Sequence, residues 1–314
     1  MSKNLIFLTG CEGFIGKNLL NFFKNNNINY VAPKFKELDL SNEEQLFNYV
    51  KDKKITHCIH SATTLRKGTD YPDNVLENNL RMFFNLDSLL PESVKLINFG
   101  SGSEYNRSNW MPKMKESYFG KNIPSDSHSY AKYLISKFIS KTKSNRDMIT
   151  FRIFGIYGEG EDYKFKFISN LIAKVLCDIN PVINQNAFYD YIDVQDFCNL
   201  CFKLMMINKT YSYDSINVCS GNLISLEWIA KKVIEITNKK NISYSINNSN
   251  LGREYSGCNE RMKTILGENF SLTSAEETLT RLINFYIDKS TILDKNSLIE
   301  DSYMNYAKKI MKKI

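Results

Sequence analysis

A glycine-rich turn near the start of the chain constrains its fold more than any other feature. A short apolar run leads directly into Gly10, Gly13 and Gly16, and a helical pattern follows. A strand, a tight glycine turn and a helix in this order bind a pyrophosphate, because the glycines let the backbone approach the phosphate oxygens. The N–H groups at the helix start, on Phe14 and Ile15, are expected to face the anion.

Short apolar runs alternate with helical patterns through the first half of the chain, which predicts a parallel sheet. The expected fold class is α/β, a doubly wound parallel sheet of the Rossmann type with a smaller C-terminal substrate domain. Residues 1–160 and about 188–220 are predicted to form the dinucleotide-binding domain, about 161–187 and 221–290 the substrate domain, and 291–314 a terminal helix. Strands are predicted at Leu5–Thr9, Asn29–Ala32, His57–His60, Lys95–Phe99 and Met148–Ile153.

The composition is that of an ordinary globular protein, with 43% hydrophobic and 24% charged residues among 314. No apolar run approaches the ~20 residues that a membrane span needs. The net charge of +7 comes from scattered lysines without a compact basic cluster, so a nucleic-acid partner is not expected. The seven cysteines are irregularly spaced, which favours reduced thiols and a cytoplasmic location. We expect no metal.

Two further segments follow predicted strands, at the sheet edge where open α/β folds bind their ligands. Ser61, Ala62 and Thr63 follow the third strand, and Ser101 follows the fourth. These residues are therefore predicted to line the same cleft as the glycine turn.

Four segments together resemble the extended short-chain dehydrogenase/reductases, and within them the nucleotide-sugar epimerases and reductases. They are the glycine turn, the His-Ser-Ala at 60–62, the serine-rich block at 100–105 and the segment Arg152–Gly158. The resemblance implies a nicotinamide cofactor, a nucleotide-diphosphate sugar as substrate and a homodimer. It also implies a catalytic set of Ser or Thr, Tyr, and a Lys four residues after the Tyr; Ser101 matches its first member.

The tyrosine of that set matches in two competing registers on one predicted helix. His128 and Lys132 have the required spacing with a histidine in the tyrosine position, whereas Tyr133 and Lys137 match literally. Five residues along a helix rotate a side chain by about 140°, so the two pairs exclude each other. The separation of 27 residues from Ser101 to His128 favours the first register. An unperturbed histidine pKa of about 6.5 suits a general acid.

The end of the second strand predicts which dinucleotide is bound. NAD enzymes usually carry an acid there, whereas this chain has Lys34 and Lys36, which favour the 2′-phosphate of NADP over NAD. By the resemblance, Asp39 and Leu40 contact the adenine. The resemblance also places three residues at the substrate, with the last of them toward the diphosphate: Ser103, Arg152 and Arg253.

The resemblance implies reduction of a 4-keto sugar or 4-epimerisation. Dehydratases of the family carry Asp-Glu after the catalytic Thr, where this chain has Gly102 and Ser103, so dehydration is disfavoured. The alternative is a degenerate protein that binds the dinucleotide or nucleotide sugar without turnover, since position 128 lacks a tyrosine.

Overall fold

A computed structural model of the chain describes residues 4–66, 68–142, 146–207, 210–267 and 270–311. Strands and helices alternate in its first half, close to the predicted bounds. These elements are β1 Ile6–Thr9, α1 Phe14–Asn25, β2 Tyr30–Val31, α2 Glu43–Val50, β3 His57–His60, α3 Val75–Leu89, β4 Lys95–Ser101, α4 Ser127–Thr142 and β5 Met148–Ile153.

The second half is less regular and richer in helix. Its elements are β6 Gly155–Tyr157, α5 Phe167–Leu176, β7 Val182–Gln185, β8 Phe188–Asp193, α6 Val194–Met205, β9 Ser215–Val218, β10 Leu223–Ser225, α7 Leu226–Thr237, β11 Ser245–Asn248, α8 Glu260–Leu266, α9 Ala275–Asp288, α10 Lys295–Glu300 and α11 Ser302–Met311.

The main sheet has six parallel strands in the order β2-β1-β3-β4-β5-β9. The strand order reverses between β1 and β3, because the chain first runs outward to β2 and then returns to the other side of β1. Ligands of open α/β sheets bind at such a switch point, outside the carboxyl ends of the strands. The predicted Rossmann-type α/β class is confirmed. Two smaller sheets, β10-β8-β6 and β11-β7, lie outside the six-stranded sheet.

Both faces of the main sheet are covered by apolar side chains. Along β1, Ile6 and Leu8 pack on the face that holds Phe23 of α1, whereas Phe7 packs on the opposite face with Phe83 of α3. This alternation follows from the two-residue period of a strand. A third apolar cluster joins α5, α7 and α9. The division of the chain into two domains stays a prediction.

Asn42 caps α2 by accepting the N–H of Gln45, while the hydroxyl of Ser41 donates to the Asp39 carboxylate. The predicted terminal helix over residues 291–314 is not continuous. The terminal helix is broken at Asp301, which has a left-handed backbone and pairs with Lys174 of α5. Residues 312–314 lie outside the described part of the chain.

Candidate functional site

A cavity of about 590 Å³ opens at the switch point and contains the glycine turn. Gly10 has a φ of +68°, and a Cβ on it would lie 2.6 Å from the amide nitrogen of Ala62. A Cβ on Gly16 would overlap the carbonyl oxygen of Gly10. Gly13 begins α1 and has no side-chain cap, so no side chain closes the first turn of the helix. The turn therefore fits a pyrophosphate placed at the N-terminus of α1.

The segment after β3 is hydrogen-bonded to Thr9, the residue directly before this turn. The hydroxyl of Thr9 accepts the N–H groups of Ser61 and Ala62, each at 3.2 Å. Asn79 of α3 accepts the N–H of Thr64 at 2.8 Å. The predicted cofactor residues Ser61, Ala62 and Thr63 line the cavity with Gly10 and Gly13.

The loop after β2 forms the other end of the cavity, with Asp39 and Leu40 in its lining. Two carboxylates fix this loop: Glu12 accepts the N–H of Phe35, and Glu37 accepts the N–H of Lys34, both at 2.9 Å. Glu12 was missed by the sequence reasoning, although it lies inside the glycine turn. The lysine side chains predicted to meet a 2′-phosphate, on Lys34 and Lys36, are exposed beside this loop.

A chain of serine hydroxyls lies at the carboxyl end of β4. Ser129 of α4 donates to Ser103 at 2.9 Å, and Ser103 donates to Ser101 at 3.0 Å. Ser101 also caps the short helix at residues 102–105 together with Glu104. Ser103 is only 4% exposed, and its hydroxyl lies between those of Ser101 and Ser129. In place of the predicted contact with substrate, Ser103 holds the hydroxyl of Ser101 in position.

Arg152 is buried inside the protein. Its side chain is 1% exposed, and its Nε donates to the buried carboxylate of Glu104 at 2.8 Å. Its Nη1 donates to Ser215, and its guanidinium lies 3.9 Å from the ring centroid of Phe119. The prediction that Arg152 binds substrate is wrong, because these contacts hold the guanidinium inside the protein.

The packing of α4 distinguishes the two candidate pairs, His128 with Lys132 and Tyr133 with Lys137. Nζ of Lys132 donates to the carbonyl oxygen of Phe99 at 2.6 Å, next to the end of β4, and burial lowers the Lys132 pKa. Tyr133 is 2% exposed and packs on Phe119 at 5.0 Å, with the exposed Lys137 over its ring. The geometry therefore directs Lys132, and not Tyr133, toward the edge that carries Ser101.

His128 differs from the expected general acid. Its ring stacks on Tyr71 at 4.1 Å between centroids, and its Nδ1 has no hydrogen-bond partner among the described residues. Burial, followed by the charges of Lys132, Arg107 and Arg66, lowers the pKa of His128 to about 2. The expectation of a histidine that titrates near neutrality is corrected, because His128 stays neutral at physiological pH.

This lowered pKa predicts a loss of stability in acid. The unfolded chain takes up a proton at His128 below pH ~6.5, whereas the folded chain does so only near pH 2. The free energy of unfolding therefore has its full value above pH ~6.5 and falls as the pH is lowered. At pH 5 the loss due to His128 is about 2 kcal/mol. Urea denaturation at pH 7 and pH 5 should show this difference between wild type and His128→Asn. An equal acid loss in both proteins would contradict it.

A second cavity, of about 370 Å³, adjoins the first, and Pro72 lines both. Its lining carries the basic side chains of Arg66, Arg107 and Lys309 and the acidic ones of Asp70, Asp73 and Asp126. Three of its buried nitrogen atoms have no hydrogen-bond partner among the described residues: Arg66 Nη1, Arg107 Nε and His128 Nδ1. Arg253 donates to the carbonyl oxygen of Ser108, which lines the same cavity. The two unpartnered guanidinium nitrogens can donate to an anionic ligand.

The sequence reasoning missed Arg66 and Arg107. Each lies a few residues beyond a segment that had been placed at the ligand-binding edge, the first after Thr63 and the second after Tyr105. Their position shortly after these strands was the available signal. Tyr306 and Lys309 of α11 complete the wall, and Lys309 pairs with Asp70.

A comparison with protein families matches residues 6–219 to the NAD dependent epimerase/dehydratase family. The chain belongs to this family. The resemblance predicted from the glycine turn and the later segments is therefore confirmed, and with it the prediction of an enzyme family that uses a nicotinamide dinucleotide.

Curated relatives are similar over most of their length. The chain is 25% identical over 255 residues to a GDP-L-colitose synthase of Yersinia pseudotuberculosis, covering 75% of this chain and 82% of that protein. It is 25% identical over 242 residues to a GDP-6-deoxy-D-talose 4-dehydrogenase of Aggregatibacter actinomycetemcomitans, covering 74% and 80%.

Among solved structures, a GDP-L-fucose synthetase from Naegleria fowleri bound to NADP superposes with a TM-score of 0.80. The match covers 93% of this chain and 95% of that one at 15% identity, which shows a shared fold. Within the described residues, none of the helices has the length and apolar character that crossing a membrane requires.

Proposed function

We propose that the protein is an NADP(H)-dependent nucleotide-sugar oxidoreductase that reduces a 4-keto sugar or epimerises C4. The observation that carries this proposal is the pair of adjoining cavities, which share Pro72. One is built around a pyrophosphate turn, and the other presents unpartnered basic groups beside α4. A dinucleotide in the first cavity and a diphosphate-linked sugar in the second match this division.

The bound dinucleotide supplies or accepts a hydride, and the protein's own residues orient the reactants. The hydroxyl of Ser101, fixed by Ser103, is suited to bind the oxygen on C4 of the sugar. Lys132 is placed to hold the nicotinamide ribose from the end of β4. Arg66, Arg107 and Arg253 are suited to the diphosphate.

The names of the curated relatives reduce the range of candidate substrates. Two curated relatives carry GDP-sugar names, and one of them is named as a 4-dehydrogenase of a 6-deoxy sugar. A GDP-linked 6-deoxyhexose is therefore the first substrate to test. The homodimer and the cytoplasmic location stay predictions.

A second candidate function is a binding protein without turnover. It is favoured by one observation: the histidine in the tyrosine position is neutral and stacked on Tyr71. Such a protein retains its dinucleotide and nucleotide sugar but converts neither.

Turnover assays distinguish the two functions. Purified protein is mixed with GDP-6-deoxy-D-talose and NADP⁺ or NAD⁺, and in the reverse direction with the 4-keto derivative and NADPH or NADH. A change in absorbance at 340 nm, or conversion of the GDP-sugar to its C4 epimer without a net change in absorbance, supports the oxidoreductase. Binding of both ligands by calorimetry with no turnover supports the binding protein. Failure to bind a dinucleotide contradicts both functions.

Dinucleotide preference is expected to depend on Lys34 and Lys36. A charge-assisted contact to a 2′-phosphate contributes ~1.5–3 kcal/mol, so NADP should bind at least roughly tenfold more tightly than NAD. The double variant Lys34→Ala/Lys36→Ala should lose this preference and keep its NAD affinity, as measured by calorimetry. Glu12→Gln changes the charge in the opposite direction, and it should improve NADP binding by removing a negative charge from the glycine turn next to this loop. Tighter binding of NAD by the wild type would contradict the expectation.

A further inference from the structure

The proposed reaction needs a proton source that α4 does not provide. His128 occupies the position of the family's tyrosine, is neutral and stacks on Tyr71, while Tyr133 packs away from Ser101. Reduction of a carbonyl group leaves a negative charge on its oxygen, which a nearby acid must neutralise.

Tyr255, which is far from α4 in the sequence, brings a phenol to the end of β4 near Ser101. The hydroxyl of Tyr255 lies beside Gly102, the residue that follows Ser101. It lies so close to the backbone that a Cβ on Gly102 would be 2.5 Å from the phenol oxygen. We propose that Tyr255 supplies the phenol of the catalytic centre and donates the proton to the sugar oxygen. This proposal rests on the proposed oxidoreductase function.

The position of Tyr255 is fixed from several sides. Its N–H donates to the carbonyl oxygen of Phe188 at 2.9 Å, and its own carbonyl oxygen accepts the N–H of Asp190 at 3.0 Å. Its ring lies 4.0 Å from that of Trp110 and 5.0 Å from that of Phe154. A side chain held by strand pairing and aromatic contacts keeps its hydroxyl next to Ser101, as general acid catalysis requires.

The protonation state fits reduction. Burial raises the pKa of Tyr255, while the charge of Arg107 acts in the opposite direction. The phenol is therefore protonated and is a donor before the reaction. The carbonyl carbon receives a hydride from the bound dinucleotide, and the electron pair of the C=O π bond takes the proton as the O–H bond of Tyr255 breaks. The resulting phenolate regains a proton from water before the next turnover.

Tyr189 provides a matched control. Its ring meets that of Tyr255 at 5.7 Å and nearly at right angles, so it belongs to the same aromatic group. Tyr189→Phe removes a phenol oxygen from this group and leaves the one beside Ser101 in place. A change seen in Tyr255→Phe but not in Tyr189→Phe therefore reports on the position of the hydroxyl.

The test measures turnover, binding and stability of these two variants. With NADPH and the 4-keto derivative of GDP-6-deoxy-D-talose, Tyr255→Phe should lower kcat about 100-fold. Its affinity for the keto sugar nucleotide in calorimetry should fall, while its affinity for GDP alone and its Tm stay at wild-type values. Tyr189→Phe should match the wild type in kcat.

The results of these measurements distinguish a failure of the proposed function from a failure of the role proposed for Tyr255. If wild type binds the keto sugar nucleotide without turnover, the proposed function fails, and the binding comparison alone decides the role of Tyr255. Wild-type kcat in Tyr255→Phe, or equal affinity for the keto sugar nucleotide in both proteins, overturns the proposal. Should Tyr255→Phe misfold, 3-fluorotyrosine at position 255, whose phenol is a stronger acid, is expected to change kcat at neutral pH, and a wild-type kcat overturns the proposal.

Discussion

Replacing Gly13 with valine is expected to weaken binding of both NADP and NAD while leaving the protein folded. Gly13 lines the larger cavity at the start of α1 and has a φ of −77°, which any residue adopts. A Cβ there meets only the carbonyl oxygen of Gly10, at an ordinary 3.4 Å. The protein therefore tolerates the side chain, whereas a phosphate at the helix N-terminus does not. A steric conflict costs about 1–3 kcal/mol, so affinity should fall about 5- to 150-fold.

Calorimetric titration with each dinucleotide and a thermal melt measure this prediction. Gly16→Ala is the contrasting variant, because a Cβ at Gly16 overlaps the carbonyl oxygen of Gly10. It should lower the Tm as well as the affinity. If a folded Gly13→Val protein binds NADP with wild-type affinity, the glycine turn is not the phosphate site.

The sheet and the phosphate turn were predictable because their signals are local. The apolar strands and Gly10–Gly16 follow one another along the chain, and the β1–β3 switch point follows from the alternation of strands and helices. The break at Asp301 was not predictable. It depends on a left-handed backbone and on an ion pair with Lys174, which is more than 100 residues away in sequence.

The candidate site was predicted less completely than the sheet. Whether a polar side chain binds a ligand or another buried residue depends on its burial, which the sequence does not give. Arg152 follows an apolar strand and has the charge of a substrate ligand, yet the carboxylate of Glu104 meets it inside the protein. His128 has the correct spacing, but its surroundings keep it neutral. Tyr255 is separated from Ser101 by about half of the chain, so only the fold brings the two together.

Lys132→Met is expected to weaken dinucleotide binding about 10–100-fold and to lower turnover by about three orders of magnitude. The lysine places a cation beside the carbonyl oxygen of Phe99 at the end of β4, where the nicotinamide ribose is expected. A hydrogen bond from a charged group contributes ~1.5–3 kcal/mol, and acid–base groups contribute factors of about 10²–10⁴ in rate. Methionine retains the length of the side chain and removes only its charge and donors.

Tyr133→Phe and Lys137→Met test the competing register by the same assays. Tyr133 packs under Phe119 and Lys137 is exposed, so both variants should keep wild-type affinity and turnover. Because five residues rotate a helical side chain by about 140°, the helix cannot direct both pairs at one nicotinamide. Single-turnover hydride transfer, followed by NADPH absorbance, separates the two registers. A large loss in Tyr133→Phe beside a normal Lys132→Met would place the reaction on the opposite face of α4 and exclude Lys132 from it.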